Sequence, residues 1–179
     1  MLESNETPVS KDFLDSLCQY LADEGERIAR AAYDAHTFQN RFYNLHDSYG
    51  SSVFVGGVEQ PGCRRYAYGE YSIAPKKDTG MGRNQTGRQA IDEYFDNYAK
   101  RTHNDHVELV VVAAMFYASF LENPDEAPNI KHKYRVVALA KDELDRLKKD
   151  LGIRGVRTKV VRVRDDVYIK AKREGYGAE

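Results

Sequence analysis

Gly82 and Gly87 carry the spacing of a phosphate-cradling loop, in the run Gly82-Arg83-Asn84-Gln85-Thr86-Gly87-Arg88-Gln89. Such a loop needs a lysine after its second glycine to reach the terminal phosphates, then Ser or Thr to meet magnesium. Arg88 and Gln89 hold those places here, and no hydrophobic strand runs directly into the loop. What is left is a helix N-terminus able to hold an incidental anion. His103 and His106 flank Asn104-Asp105, and two imidazoles with a carboxylate are sufficient ligand types for zinc. Neither a cysteine pair nor a helical His-Glu-x-x-His accompanies them, so the run reads as a solvated connection from helix to strand. The acidic pairs Asp125-Glu126 and Asp165-Asp166 lie near basic residues, but a metal-dependent nuclease needs carboxylates on a rigid strand beside a lysine. The apolar strand from Val107 offers only Glu108. No Gly-x-Ser-x-Gly elbow is present, and neither Cys18 nor Cys63 has a recognisable catalytic setting. The expectation is a non-catalytic chain with no cofactor, no metal and no small-molecule substrate.

Composition points the same way. At 179 residues, with 41% apolar and 31% charged residues, the chain has ordinary globular composition and is long enough to bury most of its unfolded surface. Two cysteines are too few for a disulfide framework, and Cys18 falls on an apolar helical position where a free thiol acts as a small hydrophobe. No apolar run approaches the roughly 20 residues that span a bilayer, and Met1-Leu2-Glu3-Ser4-Asn5-Glu6 lacks the order of a signal peptide. Synthesis and assembly in a reducing cytoplasm, without a membrane, are expected.

The elements that must position these residues follow from periodicity. Ser10 is placed as an N-cap, and Leu14, Leu17, Cys18, Leu21, Ile28, Ala32 and Ala35 describe one stripe of a long helix to about His36. Val53-Phe54-Val55 runs into Gly56-Gly57, a hairpin signal, with the returning strand at Val58 or at Arg64 to Tyr68. Gly69 to Gln85 reads as a long exposed loop. Thr86-Gly87 opens a second helix with the stripe Ile91, Tyr94, Phe95 and Tyr98; Val107 to Met115 is a central buried strand; Phe116 to Leu121 turns helical before Pro124. Ala140, Leu144, Leu147 and Leu151 mark a further helix closed by Gly152, and Val156 to Val163 a last strand. The sum is an α+β single domain over residues 1–179: a long N-terminal helix, a small, mostly antiparallel sheet with a β-hairpin, and two further helices, with 1–9 and 171–179 as flexible tails.

The net charge is -1, yet its distribution is uneven. Asp12, Asp15, Asp23, Glu24 and Glu26 crowd the start of the chain, and Arg154, Arg157, Lys159, Arg162, Arg164, Lys170, Lys172 and Arg173 its end. Opposite ends of opposite sign suit head-to-tail contact between identical subunits, against the blander reading of two solvated faces. Thirteen tyrosines and no tryptophan, with tyrosines beside arginines as in Arg64-Arg65-Tyr66, add an interface-like composition. The candidate interface residues are Arg64, Arg65, Lys76, Lys77, Arg83, Arg154, Arg157, Arg162 and Arg164. The alternative function is a small nucleic-acid-binding accessory protein that uses the basic C-terminal region, which would bind in a steeply salt-dependent way.

Two segments carry a family resemblance. Phe38-Gln39-Asn40-Arg41-Phe42-Tyr43-Asn44-Leu45-His46-Asp47-Ser48-Tyr49-Gly50 resembles the F-x-N-R-T-G-N-L-x-x-S-I-G segment that follows the first helix in neck and tail-completion proteins of long-tailed bacteriophages. Leu109-Val110-Val111-Val112-Ala113-Ala114-Met115-Phe116-Tyr117-Ala118-Ser119-Phe120-Leu121-Glu122 resembles that family's L-V-V-V-A-G-M-x-Y-A-x-Y-V-E. Departures fall at Phe42-Tyr43, at Ala114, and in the longer Asn123 to Lys133 segment. Asn44 and Asp47 are expected to cap the turn, with Leu45 anchoring it. The resemblance implies a structural virion protein, assembled in the bacterial host cytoplasm and joining tail to head. Its implied partners are further copies of itself in a ring, expected to be a hexamer, neighbouring head-tail or tail proteins, and genomic DNA passing through the lumen.

Overall fold

In the computed structural model the described residues are 10–37, 45–69, 85–99, 106–115, 118, 136–152 and 156–162. The first helix, α1, spans Lys11–Asp34. Ser10 is extended and its Oγ accepts the Phe13 amide at 3.2 Å, satisfying one amide that the first turn leaves without a partner. Cys18, Leu21, Ala22, Gly25, Ile28, Ala29 and Ala32 form its buried face, the stripe that the spacing requires. The charged face is partly paired rather than merely wet: Arg27 meets Glu24 and, from a later helix, Glu143, while Arg30 meets Glu26.

A short 3-10 turn, His46–Ser48, leads into β1, Tyr49–Val55. Gly56 and Gly57 then take φ of 60° and 80°, the paired positive angles that a tight hairpin turn demands, and β2 returns over Val58–Glu59. Both candidate return strands exist. Pro61-Gly62 interrupts the edge, with Gly62 at φ 70°, after which β3, Arg65–Tyr66, pairs antiparallel with Gly50 and Ser51 farther along β1. Seven residues of β4, Val107–Ala113, pair antiparallel with the whole of β1, and β5, Val156–Arg162, pairs parallel with β4. The order β2-β1-β4-β5, with β3 also on β1, makes a mixed sheet whose pairings are antiparallel except the last.

Helices α2, Gly87–Ala99, and α3, Ala138–Leu151, complete the described elements. Thr86 and Gln89 cap α2 reciprocally: the Thr86 amide donates to Gln89 Oε1 at 2.9 Å and the Gln89 amide to Thr86 Oγ1 at 3.2 Å. Gly152, left-handed at φ 58°, stops α3 as the sequence indicates.

Alternation along β1 sorts the helices onto two faces. Ser51 and its cross-strand neighbours face α1, so closely that a Cβ on Gly25 would lie 2.6 Å from Ser51 Oγ and 2.7 Å from Leu109 Cδ1. Gly50 and Phe54 face α2; Phe54 packs against Phe95 and Tyr98 with ring centroids 6.0 and 4.8 Å apart. α3 packs beside α1 and against β5. Val110, Val111 and Val112 are fully buried at the centre, which is where the sequence puts its most apolar run. Phe116–Leu121, apart from the buried Ala118, and the His103-Asn104-Asp105 run lie outside the described residues, as do the loop from 70 to 84 and both expected tails.

Candidate interaction surface

Arg64 and Arg65 stand side by side at the start of β3 and, because successive residues of an extended chain point to opposite faces, they reach opposite helices. Arg64 donates to Glu59 at 2.8 and 2.5 Å, to Asp92 at 2.9 Å and to Asp96 at 2.7 Å, and lies over the Phe95 ring. Its guanidinium is held still more firmly protonated than usual, foremost by the Glu59 hydrogen bonds. Arg65 donates to Gly62 O, to Gln19 at 3.3 Å and to Asp23 at 3.0 Å on α1. The two arginines thus clip β3 to α2 on one face and to α1 on the other. Tyr66 donates its hydroxyl to Asp92 at 2.5 Å, and Arg88 covers its ring at 4.1 Å. The aromatic-arginine composition that reads as an interface is, at this run, an intramolecular seam.

Of the other candidate interface residues, Arg157 is exposed on β5 and Arg162 closes that strand. Lys76, Lys77, Arg83, Arg154 and Arg164 lie outside the described residues. The described candidates are not gathered into one patch: β3 lies on the β1 side of the sheet and β5 at the opposite edge.

A cluster at the C-terminal end of α1 was not visible in the sequence. The Tyr33 ring stacks on His36 at 4.3 Å and meets His46, Tyr49 and Tyr68 edge-on at 4.6, 5.4 and 5.0 Å. Tyr68 donates to Asp34 at 2.5 Å beneath Arg30, its phenol pushed well up in pKa by burial and then by Asp34. Tyr49 donates to Val136 O at 2.8 Å. His46 Nδ1 lies 2.6 Å from the buried Asp47 carboxylate, an orienting pair of the kind a general base uses. Ser48, the adjacent hydroxyl, donates to Leu45 O at 2.8 Å. Leu45 is buried as the anchor that its position suggests. Only the adjacency of His46 and Asp47 hints at this pair, and that adjacency reads equally as turn chemistry.

Among the described residues, the N-terminal half of α1 leaves an apolar surface open, as does Val58 on β2. Phe13 and Tyr20 are 52% and 47% exposed, with Leu14 and Leu17 half-buried between them, and Cys18 alone of residues 11–20 is buried. Cys18 and Cys63 are free thiols; burial raises both, Cys18 to about 11, so neither is a nucleophile near neutral pH. Among the described residues no group of His, Cys, Asp or Glu is arranged to hold a metal, and no helix is long and apolar enough to cross a membrane. No family model, curated protein or solved structure matches the chain.

Proposed function

We propose that this protein is a non-catalytic structural component of a long-tailed phage or prophage, a neck or tail-completion subunit that joins tail to head as part of a ring. The observation that carries the reading joins sequence and fold. The two segments on which the family resemblance rests are far apart in the chain, yet their described parts, 45–50 and 109–115, are hydrogen-bonded neighbours: Ala114 donates to Ser48 O at 2.9 Å, Tyr49 pairs with Ala113, and Gly50 with Val112. Two motifs that meet in this way form one structural unit, which supports reading them as the imprint of one fold rather than as separate coincidences. Their role is core-building, and the function follows from the family.

In this reading the work is geometric. Copies of the subunit associate through complementary surfaces, the Gly69 to Gln85 loop and the basic C-terminal strand serve as contact elements, and DNA passes through the lumen. The test is native mass across a concentration series, with electron micrographs of large species, alone and with tail components. Rings, or a monomer that assembles when tail components are added, are expected. A small species that never assembles and binds DNA in low salt would overturn the proposal in favour of a nucleic-acid-binding accessory protein.

A further inference from the structure

We infer that the N-terminal half of α1 docks on the Arg157 face of β5 in a second copy of the chain, an inference that rests on the assembly reading above. Ten helical residues extend about 15 Å. Over residues 11–20 that length carries Phe13, Leu17 and Tyr20 at spacings of four and three, a stripe along one side of a helix whose outer members are about half exposed. Asp12 and Asp15 flank it. Of the acids later in α1, Asp23, Glu24 and Glu26 have cations within the chain, Arg65, Arg27 and Arg30 respectively, and Asp34 accepts from the Tyr68 hydroxyl. Asp12 and Asp15, both exposed, form no ion pair among the described residues, and neither does the exposed Arg157.

Topology makes the occupant a second copy. The N-terminal half of α1 touches Cys63, whose thiol donates to Cys18 O at 3.7 Å and accepts from Gln19 Nε2 at 3.4 Å, and Cys63 follows β2 at the β1 side of the sheet. β5 is the strand at the opposite end of the order β2-β1-β4-β5, so roughly 14 Å of sheet, three strand spacings, separates the two edges. Within one chain the acid patch and Arg157 face away from each other. Between chains they meet head to tail, the heterologous contact that propagates around a ring when its rotation closes. Apolar burial at Phe13 and Tyr20 supplies the affinity and the charges fix the register.

The test uses the full chain and reversal of charge at both ends. Asp15→Lys alone and Arg157→Glu alone are each expected to raise the concentration needed for assembly about tenfold, and the double variant to restore it. Because the chain has no tryptophan, Tyr20→Trp places a single fluorophore in the patch, and its emission should shift to the blue over the concentration range in which mass rises. If wild type assembles but the reversals assemble equally well, or the fluorophore stays in water, this docking is wrong and the ring reading stands. Wild type that remains monomeric alone and forms rings with tail components overturns self-docking only. Monomer under both conditions overturns both.

Discussion

Arg64 gathers three carboxylates, from the hairpin and from α2, around one guanidinium whose side chain is 22% exposed. A planar fork spreads five donors over three nitrogens and so meets separated acceptors at once, which the three donors on a lysine's single nitrogen match only in part. Removing it leaves Glu59, Asp92 and Asp96 facing one another without a cation. Arg64→Ala is therefore expected to lose about 2 kcal/mol in urea unfolding, and Arg64→Lys to recover only part of it; this is below the cost of a fully buried pair because solvent screens the site. A midpoint unchanged by Arg64→Ala would show the seam to be incidental. Cys18 makes a pH prediction. Its folded pKa is raised from 9.0 to about 11, chiefly by burial, so above pH 9 the unfolded chain releases a proton that the native chain keeps. The sign is fixed: its contribution is intact below pH 9 and is lost as pH rises toward 11, with a slope of at most about 1.4 kcal/mol per pH unit. Cys18→Ala should flatten that part of the stability profile relative to wild type.

At the scale of elements, the contact between α1 and the sheet depends on Gly25. Alanine favours helix over glycine by about 1 kcal/mol, so the helix by itself would gain from Gly25→Ala. The added Cβ would lie 2.6 Å from Ser51 Oγ, 2.7 Å from Leu109 Cδ1 and 2.8 Å from Ser51 Cβ, on a sheet too well packed to yield. Overpacking costs typically about 1–3 kcal/mol, so net destabilisation is expected, visible as a lower thermal midpoint with helical content retained. A higher midpoint would mean that the helix slides without penalty. Ser10, the α1 stripe, Gly56-Gly57, the β4 run and Gly152 were all legible in the sequence, since caps, turns and periods are local. The parallel pairing of β4 with β5 and the placement of helices on both faces were not. They are decided by which long-range contacts close, and a strand of the type Val-Arg-Thr-Lys-Val reads the same beside either neighbour. The intramolecular arginine seam is not legible for a related reason: a charged side chain has one sequence signature whether it faces water, a partner or its own fold.

For the whole molecule, the assembly reading makes the 69–85 segment a contact element rather than part of the core. Deleting it should abolish ring formation while the circular dichroism and unfolding midpoint of the monomer stay near those of wild type; normal rings from the deletion would remove the loop from the interface. The sheet order carries a consequence for biosynthesis. β1 has β2 and β3 on one side and, on the other, β4, which is translated long after it. Until Val107–Ala113 leaves the ribosome, the nascent chain holds a complete first helix and a hairpin whose inner edge, with Val53 and Phe54, has no partner strand. Such an edge invites pairing between neighbouring nascent chains on one message. Expression should therefore respond to the speed of translation between the two strands, and synonymous codons that slow that interval should lower the soluble yield of an otherwise identical protein.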